Sequence, residues 1–509
     1  MKPRAAWLCL ILIALAGLLI RIDIGTRTYI DFDEWQHLFI SASPRWSDLE
    51  FELRSNAHPP LFFLLLGWIV RLGHPALYRA ISIAAGTGSI VMAGLIARGL
   101  FASPLIQFAC AAAFALSVDA IAISDEIRSC QLAIFLCLVA FYAWLAMRSG
   151  SLRACIFFAT ASSLALLSHY SAIFFVLACA IAILPRLRVR TAIALTIPLA
   201  LFAAEYLIHA GAQPQQGYLS GFYFGNAAGE TLARFLLRNT ANFFNLFSPV
   251  ELKSVVLAAI AAAAFCALAL WAHRKKPNAA ILLAAVIVPE IGMAGAMGEY
   301  PFGGMLRHEY IAGPFLLLAA FAILDVLAAT PRARYAVPAL ALAVSLTGFA
   351  AERRTLIRFP GTILQAAQYR GWRTAFPHAS AVYLDHWDAI SYFIHTSAQP
   401  RTFVRHIPDA ANIDEYRTPD GIHIFYDKSR DSVDLADRAP YTSIASCLRN
   451  SDAGELTLFI MSPGNRALDL HDGKLENVIT ARAAEHGLRL TRFAPGPDYA
   501  AAGFTLRDR

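Results

Sequence analysis

Residues 1–351 are dominated by apolar runs of about the 17–25 residues that a helix needs to cross the hydrocarbon core of a bilayer. A chain with such runs in series has few ways to fold. Backbone polar groups cannot stay unpaired in lipid, so each run has to become a helix. Eleven spans are expected, at 5–22, 79–97, 105–123, 130–147, 154–168, 171–185, 191–209, 253–272, 279–297, 311–328 and 335–350. His58–Gly73 is a further apolar stretch; the two prolines near its start suit a helix lying along the outer membrane surface. Only 16% of the 509 residues are charged, against about 25% in soluble domains, which excludes a water-soluble enzyme of this size. The same bias excludes disorder. Arg21 follows the first run directly and no A-x-A-like site comes after it, so an uncleaved anchor is expected rather than a signal peptide.

The charges orient the spans. Residues 352–509 hold 19 basic and 19 acidic residues, and residues 1–351 hold 24 and 17, so the net +7 belongs wholly to the apolar part. That distribution excludes a nucleic-acid partner. With Lys2 and Arg4 in the cytoplasm and His58–Gly73 kept outside, the inner loops gather Arg98, Arg148, Arg153, Arg186, Arg188, Arg190, Arg274, Lys275, Lys276, Arg332 and Arg334. Thirteen basic residues then face the cytoplasm, with Asp325 as the one acid near that side. Making His58–Gly73 a full span would invert every later loop and destroy this asymmetry. The expected architecture is mostly α: a polytopic helical membrane domain over 1–351, and a small extracytoplasmic α/β domain over 352–509. Strand-like runs in the tail are Ala381–Leu384, Gly421–Tyr426, Glu455–Met461, Leu488–Phe493 and Gly503–Leu506, with helical stretches at Asp388–His395 and Asn477–His486. Seven of the eight cysteines fall in or beside spans, which leaves no disulfide framework in the tail.

Polar residues converge on the outer face. Asp31, Asp33 and Glu34 follow the first span; three carboxylates so close repel one another and want a cation, a proton or a basic partner, although a solvated turn would read the same. His58 opens the Pro59-Pro60 segment. Asp125, Glu126 and Arg128 form the short loop after the third span, with Asp119 before them, and a local ion pair of Arg128 with either acid is an equally simple reading. Two glycines, Gly303 and Gly304, precede Arg307 and His308, which together suit an anion site. His169 and Tyr170 join the two shortest spans, where a buried, hydrogen-bonded histidine is the simpler interpretation. Acids in one region and an Arg/His pair in another suit transfer from a phosphate-linked donor: a carboxylate takes the acceptor's proton and cations steady the departing phosphate. A site on the outer face has no access to cytoplasmic nucleotide sugars, so the donor has to be lipid-linked.

In these residues the chain resembles the GT-C membrane glycosyltransferases, the group that includes protein O-mannosyltransferases and lipid A aminoarabinose transferases. It is most similar to the bacterial RgtA/B/C/D-like, or dolichyl-phosphate-mannose-protein-mannosyltransferase-like, branch. The likeness covers about residues 5–350 and rests on Asp33-Glu34, His58-Pro59-Pro60-Leu61, Tyr78-Arg79, Glu126-Ile127-Arg128, and Gly304 with Arg307. It implies Asp33 as base with Glu34 beside it, an acidic second outer loop at Asp125 and Glu126, and Arg307 on the donor phosphate. The E-x-R segment in relatives is often followed by Tyr, whereas Ser129-Cys130 follow here.

The function expected is an inverting transfer, hexosyl or pentosyl, from a polyprenyl-phosphate-linked sugar to an extracytoplasmic acceptor, in a multi-pass protein of the bacterial inner membrane surrounded by membrane lipids. Asp33 and Glu34 are the expected catalytic residues. Asp125, Glu126, Arg128, His58, His169, Tyr170, Arg307 and His308 are expected to bind substrate, and the outer stretch Gln213–Leu246 to cover the acceptor cleft. A divalent cation at Asp33, Glu34 and Glu126 is an option the sequence does not require. The alternative is a transporter or flippase of a lipid-linked saccharide, disfavoured by acids at span ends and the lack of a paired repeat of spans.

Overall fold

In the computed structural model, helices stand at every expected span, but they end where the backbone is interrupted rather than where hydropathy falls. The structure describes residues 3–28, 30, 32–43, 45–53, 58–72, 74–209, 221–226, 229–247, 254–356, 375–377, 379–385, 402–408, 412–418, 421–428, 439–461, 474–495 and 499–507. The helices run α1 (Pro3–Arg27), α2 (Phe32–Ser41), α3 (Trp46–Leu53), α4 (Leu61–Arg71), α5 (Ala80–Leu100), α6 (Pro104–Leu116), α7 (Val118–Asp125), α8 (Cys130–Met147), α9 (Leu152–Ser168) and α10 (Ala172–Ile183). They continue with α11 (Val189–Ile208), α12 (Leu232–Leu246), α13 (Val255–Lys275), α14 (Ala279–Ala296), α15 (Leu306–Glu309), α16 (Gly313–Leu327) and α17 (Ala333–Leu356). Seven of them, α1, α5, α8, α11, α13, α14 and α17, are long and apolar enough to cross a membrane, or eight with the bent pair α6 and α7 counted as one. The chain is thus a polytopic membrane protein. The count is lower than the eleven expected because α9, α10 and α16 are apolar but shorter. The His169–Ser171 turn, for example, stops α9 and restarts the chain as α10.

Contacts divide the chain into two compact units. One comprises Met1–Thr28, Leu53–Leu65 and Ala76–Arg358, and the other Tyr29–Glu52, Leu66–Pro75 and Phe359–Arg509.

Within the helical unit, an arginine resolves a polar problem made by the sequence. Ser117 has an extended conformation (φ −60°, ψ 120°), and its side chain accepts from Ala120 N to start α7. The α6–α7 axis bends there by 46°. The last carbonyls of α6 are left without helical donors. Arg21 supplies donors: its guanidinium gives hydrogen bonds to Phe114 O (3.3 Å), Ala115 O (3.3 Å), Gly17 O (3.1 Å) and Ser124 Oγ (3.0 Å). It is 1% exposed and lies inside α1, not after it, since that helix runs on to Arg27. Gly86 allows the close approach, because a Cβ there would strike Ser124 and come within 2.9 Å of Arg21 Nε. Asp325, buried at the C-terminal end of α16, accepts from Ala102 N (3.1 Å) and Ser103 N (3.0 Å) before α6 and pairs with Lys276 at 2.7 Å.

In the second unit a seven-stranded mixed sheet has the order β2-β3-β4-β1-β5-β7-β6. The strands are β1 (Ala381–Leu384), β2 (Thr402–His406), β3 (Ile413–Arg417), β4 (His423–Asp427), β5 (Leu456–Met461), β6 (Leu488–Pro495) and β7 (Tyr499–Leu506). β1 pairs in parallel with β4 and β5, and the other pairs are antiparallel. Helices α18 (Ala439–Arg449) and α19 (Lys474–Glu485) accompany it, around a core that includes Tyr383, Phe425, Tyr441, Leu456, Ile479 and Phe504. The strand-like runs expected in the tail are all strands, α19 covers most of the expected helix Asn477–His486, and β2 and β3 are additions. The expected helix Asp388–His395 lies outside the described residues.

α2 and α3 belong to this unit. Phe39 meets the rings of Tyr416 and Tyr426 edge-on at 5.9 and 6.0 Å. Buried Glu52 accepts from the Tyr416 hydroxyl and lies 3.9 Å from Lys428. On the sheet itself Lys428 and His406 both hold Asp414, at 2.5 and 2.6 Å, while Arg405 and His423 hold Glu415, at 2.8 and 2.6 Å.

Arg21→Met should leave the α6 carbonyls and Ser124 unsatisfied, at a cost of about 2 kcal/mol or more. A clear fall in the melting temperature of the detergent-solubilised protein checks this; an unchanged melt would contradict it.

Candidate functional site

The helical unit brings three separate loops together at one end. In the first, between α7 and α8, the ion pairs are not both local. Asp125 is held by Arg79 (Nε to Oδ1 3.6 Å, Nε to the Asp125 carbonyl 2.5 Å), whereas Glu126 lies against Arg128 at 3.4 Å. Arg79, Asp125 and Arg128 are buried and Glu126 is partly exposed. Gly25 on α1 makes room: a Cβ there would sit 2.6 Å from Asp125 Oδ1. Glu126–Arg128 is thus one of the two local pairs that the sequence allows, and Arg79, just ahead of α5, comes in against Asp125.

The second loop is the α9–α10 turn. His169 Nδ1 accepts from Ser171 N (3.1 Å) and meets Ser171 Oγ at 2.7 Å. An Nδ1 that accepts an amide proton leaves the ring hydrogen on Nε2. Burial, and then the positive charge of Arg128, pull the imidazole down to about 4, so His169 is a neutral donor at physiological pH. Its ring lies 5.1 Å from that of His58. Tyr170 meets His209 Nδ1 at 2.5 Å, and His209 Nε2 lies 2.5 Å from the Leu53 carbonyl. Burial and the neighbouring Glu205 raise the Tyr170 phenol. Both His209 and Glu205 were invisible in the sequence, being 39 and 35 positions from Tyr170 with no motif around them.

The third loop carries Arg307 and His308. Arg307 Nε donates to His308 Nε2 at 3.4 Å, and the backbone is pinned from both sides: Tyr300 Oη donates to His308 O (2.8 Å) and Cys130 Sγ to Arg307 O (3.7 Å). Cys130 therefore joins the first loop to the third, and the charges of Glu126, Arg128 and Arg307 all act on its thiol. The departure from the family pattern at Ser129-Cys130 falls on this contact. Gly303 has φ +73°, a conformation that favours glycine, and a Cβ there would run into the backbone of Asn239 on α12. That helix occupies most of the described part of Gln213–Leu246, and Phe222 O ahead of it accepts from Phe302 N at 3.0 Å.

Asp33 and Glu34 lie in the first turn of α2, in the second unit. Glu34 is 2% exposed and Asp33 half-buried. The Asp33 carbonyl accepts from His37 Nδ1 at 2.7 Å. Asp31 is outside the described residues. Among the described residues no group of three or more His, Cys, Asp or Glu is arranged to hold a metal ion.

Beside α7 the helical unit has a half-open cavity of about 660 Å³. Its walls are apolar, with Phe114, Phe265, Phe321 and Val344 among them, and Asp119 and Glu352 are its two carboxyls.

These features have a counterpart among solved structures. The chain has the ArnT fold. It superposes on ArnT from Cupriavidus metallidurans in the apo state with a TM-score of 0.56 at 11% identity, covering 99% of this chain and 98% of that one. The same enzyme bound to undecaprenyl phosphate gives 0.55 at 12% identity, with the same coverage. No protein-family model matches the chain, and no curated protein matches its sequence. At such identity the likeness is one of fold, and it agrees with the GT-C resemblance read from the sequence.

Gly303→Ala is expected to destabilise by about 1–3 kcal/mol, because positive φ and close backbone contact both oppose a side chain. Gly304→Ala meets only the Phe222 ring, at 2.8 Å, which can turn aside, so it should cost less. Melting temperatures of the two variants compare them directly, and equal losses would contradict this account.

Proposed function

We propose that the chain is a membrane glycosyltransferase that moves a sugar from a polyprenyl-phosphate donor to an extracytoplasmic acceptor. The observation that carries the reading is the convergence of Arg128, Arg307 and the neutral His169 at one end of a helical unit with the ArnT fold. An ArnT structure holds undecaprenyl phosphate, a lipid whose head would suit two guanidiniums and histidine donors.

In the proposed reaction the donor phosphate lies against Arg307, His308 and Arg128, with His58, His169 and Tyr170 lining the same region. Asp33 takes the proton of the acceptor hydroxyl as its oxygen attacks the anomeric carbon opposite the phosphate. The bond from that carbon to the phosphate oxygen breaks, configuration inverts, and polyprenyl phosphate leaves with the electron pair. Negative charge grows on the phosphate in this step, so the guanidiniums bind the transition state more strongly than the ground state. Glu126 is already paired with Arg128, and the step is written without a metal. If EDTA abolished transfer and added Mn²⁺ restored it, a cation at Asp33 and Glu126 would enter the mechanism.

Purified protein given labelled polyprenyl-phosphate sugar and a crude envelope acceptor tests the reading, with the loops of this end expected on the extracytoplasmic side. Asp33→Asn should lower kcat by about 10²-fold or more, and Arg307→Ala should raise the donor KM by roughly 10- to 100-fold. Transfer by the wild type that Asp33→Asn leaves intact would overturn Asp33 as base. Movement of the lipid-linked sugar across a bilayer without transfer would instead establish the transporter.

The 660 Å³ cavity is of the size and chemistry to take part of an isoprenoid chain. Gly348 lines it and has open space where a Cβ would stand, so the side chain of Gly348→Phe can start there and take up part of the space. It should raise KM for a long-chain donor and leave a short-chain analogue unaffected. Equal effects on both would remove the cavity from the donor path.

A further inference from the structure

Glu309 has no part in the reaction just described, yet it is fully buried beside the two residues assigned to the phosphate. We propose that Glu309 is a positioning residue: its carboxyl clamps the Gly303–Gly304 turn and so sets where Arg307 and His308 meet the donor phosphate. The inference rests on the reading above for the phosphate; the clamp itself is a matter of geometry.

Glu309 Oε1 accepts from Gly303 N at 2.6 Å, closing a ring of backbone that contains Arg307 and His308. The Gly304 amide interacts more weakly with the same carboxyl. Oε2 is sealed from solvent, with no hydrogen-bond partner of good geometry among the described residues. The turn cannot slide away, since Gly303 is pressed on Asn239. On the far side, Tyr300 and Cys130 hold the carbonyls of His308 and Arg307. The two phosphate residues therefore hang between side chains at both ends, and Glu309 is the member of this frame that can change charge near neutral pH.

Burial raises its carboxyl to about 8, against the opposing pull of the Gly303 and Gly304 amides. The charged and titratable groups near it are Arg307 and His308 on its own helix, Tyr300 ahead of the turn, Tyr310 after it, and Cys130 on α8 and Tyr223, which act on Tyr300 together with it. A neutral Glu309 leaves the positive charge of Arg307 to the phosphate; an ionised one adds a buried negative charge two residues away. Donor binding should thus be strong below the transition and weaker above it.

Binding of undecaprenyl phosphate to the purified full chain, followed from about pH 6 to about pH 9, reads this directly. Wild type should lose affinity by about tenfold through the transition. Glu309→Gln keeps an acceptor for Gly303 N but cannot ionise, so it should bind like wild type at low pH and show no step. Glu309→Ala should bind about tenfold more weakly at every pH, with the donor KM rising and kcat little changed. A step that persists in the Gln variant, or an Ala variant that binds like wild type, overturns the proposal. Where the Ala variant does not fold, the Gln profile decides alone.

Wild type that fails to bind the lipid at any pH overturns the donor reading instead, and the clamp is then judged by thermal melts. A carboxyl raised in the folded state makes that state hold a proton the unfolded chain has released. Stability then falls as pH rises from the ordinary carboxylate range to about 8 and levels beyond it. Loss of that slope in Glu309→Gln supports the clamp; its persistence overturns it.

Discussion

In a helical unit that excludes water, each interruption of a helix creates polar groups that only the protein can satisfy, and the arrangement around Ser117 follows from that constraint. The bend between α6 and α7 is what turns α7 toward the Asp125–Arg128 loop. It exists at acceptable energy because Arg21, carried by a different helix, reaches the freed carbonyls. A buried guanidinium usually needs a counter-ion. Here four hydrogen bonds to neutral oxygens replace one. Gly17 and Gly86 are the spaces that let it in, and they belong to the arginine as much as to their own helices.

The same logic recurs where the charges of the proposed site lie. Asp125 lies against Arg79, while Glu126 and Arg128 pair with each other beside Cys130 and Arg307. His169 there is neutral and anchored by the Ser171 amide, which gives a donor without excess positive charge. In the proposed reaction an anion meets two guanidiniums already fixed in place, Arg128 against Glu126 and Arg307 against His308, and such preorganisation strengthens binding to developing charge.

How much of this could be read in the residues depends on the range of each interaction. Spans declare themselves, because burial in lipid acts on every residue of a run, whereas hydropathy does not register the break at Ser117 inside one of them. Strands β1, β4, β5, β6 and β7 showed as apolar runs. β2 and β3 did not, since Arg405, His406, Asp414 and Glu415 interrupt them and become tolerable only when paired across the sheet. The sequence reading of Arg307 and His308 as an anion site did not extend to Glu309 beside them. Its burial is imposed by Gly303, Asn239 and Tyr300, which no local pattern connects to it. The Arg79–Asp125 pair was hidden likewise by the 46 residues between its partners.

The α2–α3 segment lies near the start of the chain, yet it packs on strands near its end, with Tyr416 and Glu52 separated by 364 residues. During synthesis that segment emerges early and has to wait, with Phe39 and Glu52 unsatisfied, until β3 and β4 have been made. Contacts so distant along the chain form late. A protein cut short before β3 would therefore keep its spans while lacking the strands on which Phe39 and Glu52 pack.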